Sequence, residues 1–196
     1  MDDIVRQAMA KWPNVPHCYG WLALDARGAW RMRDERAQAL GLPGDRLTNS
    51  ALVGFINRNY ARDDRGCWYF QNGPQRVYLQ LETTPFVART DPAHGLVLHT
   101  GEPLTQIDSA YMTPEGALIV TNGDKAAQLD DRDVGQVSTW LRHRDQDVSD
   151  EVLLAWLDAP DEELTLRYGG RDLRVHPIAP DDIEQRFAFE RNPAPA

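Results

Sequence analysis

Residues 66–82 read Gly66-Cys-Trp-Tyr-Phe-Gln-Asn72-Gly73-Pro-Gln-Arg-Val77-Tyr-Leu79-Gln-Leu81-Glu82 and carry the strongest structural signal in the chain. The pair Asn72-Gly73 is typical of a two-residue β-hairpin turn, because both central positions of that turn need a positive φ. An aromatic run precedes the pair, and apolar residues alternating with polar ones follow it, as in a half-buried strand. The stretch therefore predicts an antiparallel hairpin.

Segments on both sides predict further hairpins and a few helices. Hairpins are expected over 18–33, 96–123 and 164–175, where strand-like runs flank glycine-containing turns. Helices are expected over 2–12, after the capping residues Thr48-Asn49-Ser50, after Ser149 and after Pro180. Residues 130–147 suit a helix and a strand equally well, so their structure stays open at this point.

The order of these segments predicts an α+β protein of repeated antiparallel β-hairpins with packed helices. It would contain two similar β-rich units plus a C-terminal helix–hairpin–helix extension. We expect an N-terminal α+β unit at 1–92, a second β-rich unit at 93–148, the C-terminal helix, hairpin and helix at 149–190, and a disordered tail at 191–196. A chain of 196 residues is long enough for one large domain or two small ones.

One spacing recurs in the two expected units. Gly66 is followed at six and seven residues by Asn72-Gly73, and Gly116 is followed at the same offsets by Asn122-Gly123. A duplicated unit explains this recurrence, and so does the independent use of the same favourable turn. The sequence leaves both explanations open.

Several of these segments resemble a bacterial family known as a domain of unknown function, number twelve-eighty-five (DUF1285). The similar text lies at 20–30, 52–56, 66–70 and 77–88, within residues 18–100. The resemblance implies a mixed α/β fold of repeated β-rich units and a role in signal transduction, and it brings no catalytic residues. The loop at 40–44 and the segments after Ser149 depart from the family, which would place the last third of the chain in a related subfamily.

The charge of the chain argues against some classes of partner. Lys and Arg number 21 and Asp and Glu number 30, for a net charge of −9 and a pI near 5.0. Twelve basic and ten acidic residues lie at or before Pro92, against nine and twenty after it. Nucleic acids and anionic membranes attract proteins with a positive field, and no apolar run approaches the roughly 20 residues of a membrane span. We therefore expect no nucleic acid and no membrane as partner. Because the start lacks the pattern of a secretory signal, we expect a cytoplasmic location.

Motifs that carry chemistry are missing from the sequence. The usual nucleotide-binding, metalloprotease, serine hydrolase and kinase signatures do not occur. Cys18 and Cys67 are too few for a disulfide scaffold or a zinc cluster and are expected as small buried thiols. His94 and His99 lie near acidic residues, but solvated loops explain this composition better than a metal site does. We expect no catalytic residue, no metal and no cofactor.

Aromatic and basic residues in the first half form the candidate ligand-binding set. Such side chains can stack on a planar ligand and clamp a phosphate or carboxylate. The set comprises Trp21, Trp30, Arg58, Arg62, Arg65, Trp68, Tyr69, Arg76 and Tyr78. The competing interpretation, which the usual burial of Trp favours, places the Trp rings in the core and the Arg heads in solvent.

These features predict a non-catalytic binding module for regulation or signal transduction, with an unknown protein or small-molecule ligand as partner. The faces and edges of its β-rich units would be available to that partner. The alternative is a small hydrolase or transferase whose site assembles from distant residues such as His17, Cys18, His99 and Asp108.

Overall fold

The structure, a computed structural model, describes residues 1–195 and divides into two compact units. The first unit contains Met1–Pro85 and the chain from Ala188 onward, and the second contains Phe86–Phe187. The first unit is therefore discontinuous in sequence. The expected extension at 149–190 lies within the second unit except for its last three residues, which belong to the first.

The first unit contains a mixed six-stranded sheet. Its strands are β1 (Cys18–Leu24), β2 (Trp30–Met32), β3 (Asp45–Arg46), β4 (Tyr60–Arg62), β5 (Trp68–Asn72) and β6 (Gln75–Leu81), in the order β3-β2-β1-β6-β5-β4. The predicted hairpin is confirmed, because β5 and β6 are antiparallel. Its turn differs from the prediction: Asn72 lies opposite Gln75 as the last residue of β5, so Gly73, with a φ of 57°, and Pro74 occupy the central positions. β1 and β6 run parallel, a non-local pairing that no turn signal predicts.

Three helices belong to this unit: α1 (Asp3–Lys11), α2 (Glu35–Ala39) and α3 (Ser50–Arg58). The α3 cap is Asn49, whose side chain accepts a hydrogen bond from the Leu52 amide at 3.0 Å. The Phe55 ring of α3 meets the Phe70 ring of β5 edge-on, with centroids 5.4 Å apart. This contact packs α3 on one face of the sheet, as the sequence predicts.

The second unit contains a mixed nine-stranded sheet and three further helices. Its strands are β7 (Phe86–Asp91), β8 (Gly95–Leu98), β9 (Ser109–Met112), β10 (Leu118–Asn122), β11 (Lys125–Leu129), β12 (Leu141–His143), β13 (Gln146–Asp147), β14 (Leu164–Tyr168) and β15 (Arg171–Pro177), in the order β13-β12-β14-β15-β9-β10-β11-β7-β8. Its helices are α4 (Val134–Val137), α5 (Asp150–Asp158) and α6 (Ile183–Phe187). Ser149 caps α5 as predicted, accepting from the Val152 amide at 3.3 Å.

The segment left open by the sequence combines both structures. A 3₁₀ turn at Asp131–Asp133, α4 and a second 3₁₀ turn at Ser138–Trp140 precede β12. Val137 is the buried residue of α4, and Leu141 of β12 is buried opposite Leu166 of β14. The two apolar patterns overlap in sequence because the helical part ends only one residue before the strand begins.

The two sheets share one order of strand pairing. The order β2-β1-β6-β5-β4 in the first unit matches β8-β7-β11-β10-β9 in the second, with a hairpin, a parallel pair, a hairpin and a further antiparallel neighbour in each. Gly66 and Gly116 both have a φ of 82°, and Gly73 and Gly123 both have a φ of 57°. The spacing seen in the sequence therefore corresponds to the same turns in each unit.

The α+β class is confirmed, but one expectation about the sheets is corrected. Their edge strands β3, β4, β8 and β13 contain only two, three, four and two residues. Edges this short present few free backbone groups, which disfavours pairing with a partner strand. Faces, not edges, are the surfaces to consider for binding. Within residues 1–195, no helix has the combination of length and apolar composition that a bilayer span requires.

Candidate functional site

Three tyrosines lie side by side on one face of the first sheet. The strand registers place Tyr69 of β5 opposite Tyr78 of β6, and Tyr78 beside Tyr19 of β1. Because side chains alternate between the two faces of a strand, these rings share the face opposite to Phe70 and α3. The Tyr19 and Tyr78 rings stack at 4.8 Å between centroids, and Tyr69 meets Tyr78 edge-on at 5.6 Å.

Two arginines lie on these rings. The guanidinium of Arg76 is 4.6 Å from the centroid of Tyr69, and that of Arg65 is 5.5 Å from the centroid of Tyr78. Both distances fit a cation–π contact. We call Tyr19, Arg65, Tyr69, Arg76 and Tyr78 the tyrosine–arginine face.

Asp63, in the turn before β5, bonds both Tyr78 and Arg65 and so holds the two side chains together. Its Oδ2 accepts a hydrogen bond from the Tyr78 hydroxyl at 2.9 Å and from Arg65 Nε at 3.2 Å. Burial pushes the pKa of Asp63 upward, but hydrogen bonds from the Cys67 amide, Tyr78 and Arg65 more than offset it, so the pKa lies below its usual range. Asp63 is therefore ionised at neutral pH and fixes the orientation of Arg65.

The tyrosine hydroxyl groups also change the pKa values of the two arginines. Hydrogen bonds with Tyr19, Tyr78 and Asp63 raise the pKa of Arg65, and a hydrogen bond with Tyr78 raises the pKa of Arg76. Burial raises the pKa of Tyr78 itself, so its hydroxyl stays neutral and available as a donor. The face thus presents two guanidinium groups beside neutral rings, and the ionised Asp63 balances the charge of Arg65.

Only part of this face is accessible. Tyr69 and Tyr78 are buried, whereas the side chain of Arg65 is 45% exposed and Tyr19 and Arg76 are half-buried. No carboxylate in residues 1–195 lies within ion-pair distance of Arg76, and the charge of Asp63 acts on it only from farther away. A ligand would therefore contact the two guanidinium groups and the Tyr19 ring, and a negatively charged group on it would form the direct ion pair that Arg76 lacks.

The structure brings together four of the nine predicted ligand residues, namely Arg65, Tyr69, Arg76 and Tyr78. Trp30 and Trp68 are buried in the core, where both contact the Tyr60 ring. The competing interpretation, core filling, therefore holds for these two side chains.

The other three predicted residues lie apart from the tyrosine–arginine face. Arg58 pairs with Asp2 at 3.2 Å, and Trp21 is 41% exposed. Arg62 is exposed on β4 and shares the sheet face of Trp68, since the two are paired in register. None of the three extends the cluster of rings and charges.

Sequence reasoning missed two members of the cluster. Tyr19 joins the face only through the parallel pairing of β1 with β6, for which the sequence holds no local signal. Asp63 precedes the Gly66 turn, and its Oδ1 accepts from the Cys67 amide at 2.9 Å. An Asp at the start of a turn is a recognisable signal, but its second role as partner of Tyr78 and Arg65 depends on register.

The residues of the enzymatic alternative have other roles in the structure. His99 is buried, and its Nδ1 accepts from the Val87 amide at 3.2 Å. Asp108 accepts from the Gly123 amide at 2.7 Å and so closes the β10–β11 turn. The His17 ring lies edge-on to Tyr78 at 5.6 Å, and Cys18 is a half-buried free thiol. Across the described residues, no three His, Cys, Asp or Glu side chains converge in a way that could hold a metal ion.

Comparisons with known proteins give a family and a fold. The family model DUF2944, described as "Protein of unknown function (DUF2946)", matches residues 1–194. No curated protein matches the chain. The crystal structure of a DUF1285 family protein from Silicibacter pomeroyi DSS-3 is similar, with a TM-score of 0.52 and 13% identity over 90% of this chain and 96% of that one.

A second DUF1285 family protein, from Shewanella baltica OS155, has a TM-score of 0.37 and 12% identity over 59% of this chain and 88% of its own. The resemblance to DUF1285 stated from the sequence is therefore confirmed at the level of the fold, by the first structure. The family model that matches the chain is a different domain of unknown function.

Proposed function

The chain belongs to the family described as protein of unknown function (DUF2946), and from its geometry we propose that it is a non-catalytic binding module whose ligand docks on the tyrosine–arginine face. One observation carries this proposal: the guanidinium of Arg76 lies on the Tyr69 ring without a carboxylate partner in residues 1–195. The ligand, a small molecule or a segment of a partner protein, would carry a carboxylate or phosphate group.

The physical basis is preorganisation. A free arginine loses rotamer entropy when it binds, whereas Arg65 and Arg76 are already held by rings and hydrogen bonds. The planar guanidinium offers paired donors that match a carboxylate or a phosphate. The half-buried Tyr19 ring adds an aromatic surface beside these donors. The face therefore suits an anionic ligand with a planar or apolar part.

We also propose a cytoplasmic setting and a role in regulation or signal transduction. Both cysteines are free thiols, which fits a reducing compartment. The resemblance to DUF1285 is the support for a signalling role. The non-catalytic character is supported by His99 and Asp108, which are occupied by backbone hydrogen bonds.

A further proposal concerns the origin of the two β-rich units. We infer that they descend from one repeated unit, because five strands pair in the same order in both. The equal φ angles at Gly66 and Gly116, and at Gly73 and Gly123, support the same interpretation.

The binding proposal is tested by thermal unfolding with a panel of probes: inorganic phosphate, nucleoside monophosphates and small dicarboxylates at constant ionic strength. A ligand that binds only the folded state at about 100 times its Kd stabilises it by about 2.7 kcal/mol. For a chain of this size that corresponds to a rise in Tm of about 5–10 °C. We expect at least one probe to give such a rise.

The matched variants are Arg76→Gln and Arg62→Gln. Each removes one positive charge from the first sheet, but Arg62 lies on the opposite face. The stabilising probe should lose its effect on Arg76→Gln and keep it on Arg62→Gln. Equal effects on the two variants would contradict the proposed site, and a panel without any effect would direct the search to a protein partner.

A further inference from the structure

A second candidate site lies in the first unit, away from Arg65 and Arg76. A cavity of about 250 Å³ opens over β1, β2 and β6 beneath the loop at 41–43. Its lining includes Ala23, Arg31, Arg33, Leu42, Gln80 and Glu82. Cavities for drug-sized ligands run to roughly 300–1,000 Å³, so this one suits a small molecule or a single chemical group.

Arg33 is the unusual feature of this cavity. Only 7% of the residue is exposed, although arginine is rarely buried without a partner. Its Nε donates to the Leu42 carbonyl at 3.0 Å, and Nη2 donates to the Ala37 carbonyl at 3.4 Å. A guanidinium has five N–H donors, and the remaining ones have no acceptor in the described part of the chain. No carboxylate there pairs with Arg33.

The carboxylates that line the cavity are already engaged. Asp25 pairs with Arg31 Nε at 2.8 Å and accepts from the Ala29 amide at 2.8 Å. Glu82 accepts from the Ala26 amide at 2.9 Å. Asp25 is thus neutralised by Arg31, and Glu82 is exposed and bonded to a backbone amide, so neither carboxylate forms an ion pair with Arg33, which is 7% exposed.

We propose that this cavity binds a small oxyanion, a carboxylate or a phosphate group, through the guanidinium of Arg33, with Arg31, which keeps its pair with Asp25, as a second hydrogen-bond donor in the lining. The occupant would supply both the acceptors and the negative charge that Arg33 lacks. Two carbonyl bonds and the hydrogen bond from the Arg33 amide to the Trp21 carbonyl hold the guanidinium in position. The site uses none of the residues of the tyrosine–arginine face, so it stands independently of the function proposed above.

A purely structural role for Arg33 makes a different prediction. In that case the side chain only ties the loop at 41–43 to β2 through the Leu42 carbonyl. Its replacement would then loosen the loop without any saturable anion effect in the native protein. Anion binding by the unmodified chain is therefore the deciding measurement.

The test is an NMR titration of the full-length protein with inorganic phosphate and, separately, with acetate, at constant ionic strength set by NaCl. We expect saturable shifts of backbone amides at 23–25, 41–43 and 80–82 with at least one of the two probes. Saturation by phosphate alone or acetate alone identifies the preferred anion. Absence of saturable shifts with both probes overturns the proposal.

Three variants assign the effect to the cavity. Arg33→Gln should weaken binding of the effective probe at least tenfold, and Arg31→Gln should weaken it several-fold. The control is Arg36→Gln, which removes an exposed charge from α2 and should change the affinity less than twofold. Should Arg33→Gln fail to fold, Arg31→Gln decides, because the side chain of Arg31 bonds Asp25 and, at 3.4 Å, the Gly44 carbonyl, but none of residues 41–43. Equal weakening in Arg31→Gln and Arg36→Gln would reduce the effect to general electrostatics and overturn the site.

Discussion

At the scale of single residues, Tyr168 shows how one hydroxyl can hold distant segments of the second unit together. The hydroxyl accepts a hydrogen bond from the Leu96 amide at 2.9 Å and donates to the Leu104 carbonyl at 2.6 Å. The ring is buried, and burial raises the pKa of the phenol, so the group stays a neutral donor. Strand β14 is thereby tied to the segment that contains β8.

We expect Tyr168→Phe to lower the free energy of unfolding by about 1–3 kcal/mol, because it leaves a buried carbonyl without its donor. The control is Tyr69→Phe, whose hydroxyl has no hydrogen-bond partner in residues 1–195 and whose loss should cost no more than about 0.5 kcal/mol. Urea unfolding followed by circular dichroism measures both. Similar losses in the two variants would contradict the role given to the Tyr168 hydroxyl.

Single residues also show where prediction of the candidate site succeeded and failed. The sequence identifies Arg65, Tyr69, Arg76 and Tyr78 because all four lie in or beside one hairpin. The pairing of its two strands brings such side chains close together. It does not identify Arg33, since composition does not reveal that a cation is 7% exposed and lacks a carboxylate. Burial of that kind depends on which loop covers the side chain, and the residues that bond the guanidinium are four and nine positions away.

At the scale of elements, the two glycine turns before β5 and β10 form a natural matched pair. Gly66 and Gly116 have the same φ of 82° and the same hydrogen bonds, back to Asp63 and Thr113 respectively. A Cβ at Gly66 would lie 2.6 Å from the Ala188 carbonyl oxygen, whereas the nearest atom to a Cβ at Gly116 is a Leu157 methyl at 3.9 Å. Only Gly66 combines a left-handed backbone with a close backbone neighbour.

We expect Gly116→Ala to cost about 1–2 kcal/mol, the strain of a side chain in the left-handed region. Gly66→Ala should cost clearly more, because the Ala188 backbone must also move away. Thermal or urea unfolding of the two variants gives the difference directly. Equal losses of unfolding free energy in the two variants would show that the close approach of Ala188 to Gly66 does not affect stability.

Elements with strong local signals were predicted, and elements without them were not. The hairpin at Asn72-Gly73 and the caps at Asn49 and Ser149 rest on chemistry within a few residues. Helix α2 and strand β3 were missed, although Asp34 caps α2 by accepting from the Ala37 amide at 2.7 Å. Elements of five and two residues contain too little periodicity to recognise.

At the scale of the whole molecule, the last residues complete the first unit. Phe189 is buried, the Glu190 amide donates to the Gly66 carbonyl at 3.2 Å, and the Arg191 carbonyl accepts from the Leu81 amide at 2.9 Å. The last residues of the chain thus contact the sheet that is formed within residues 1–85. Integrity of that sheet depends on residues more than a hundred positions away.

We expect a chain that ends at Phe187 to lose stability in its first unit. Burial of a phenylalanine contributes about 1.5–3 kcal/mol, and each backbone hydrogen bond adds about 1 kcal/mol. A chain that ends at Asn192 keeps all three contacts and serves as the control. Hydrogen exchange of the Gly66, Leu79 and Leu81 amides reports on this unit. Unchanged exchange in the shorter chain would contradict the assigned contacts.

Acid should destabilise the molecule through several carboxylates. The Arg132 guanidinium lowers the pKa of Asp130, and Asp63 and Asp161 also have lowered pKa values, Asp161 through the Glu163 amide and His143. A carboxylate with a lowered folded pKa contributes stability that is complete above the unfolded pKa, near 3.8, and lost as the pH falls through the folded value. We therefore expect Tm to drop below about pH 4.

The variant Asp130→Asn checks this assignment. It should be less stable than the unmodified chain at neutral pH and should lose less on acidification, because one of the titrating carboxylates is gone. Thermal unfolding between pH 3 and 7 measures both effects. An acid-induced loss of unchanged size would show that Asp130 takes no part in it.

Local patterns along the chain are enough to predict the α+β class, several hairpins and helix caps, and the aromatic and basic composition from which a binding face could be built. These properties arise from interactions between residues close in the chain, so local patterns reveal them. Tertiary structure alone decided that β1 runs parallel to β6, that Tyr19 joins Tyr78, and that Arg33 is covered without a carboxylate. Each of these depends on strand register or on which segment covers which, and the energies that select them are summed over the whole packed unit.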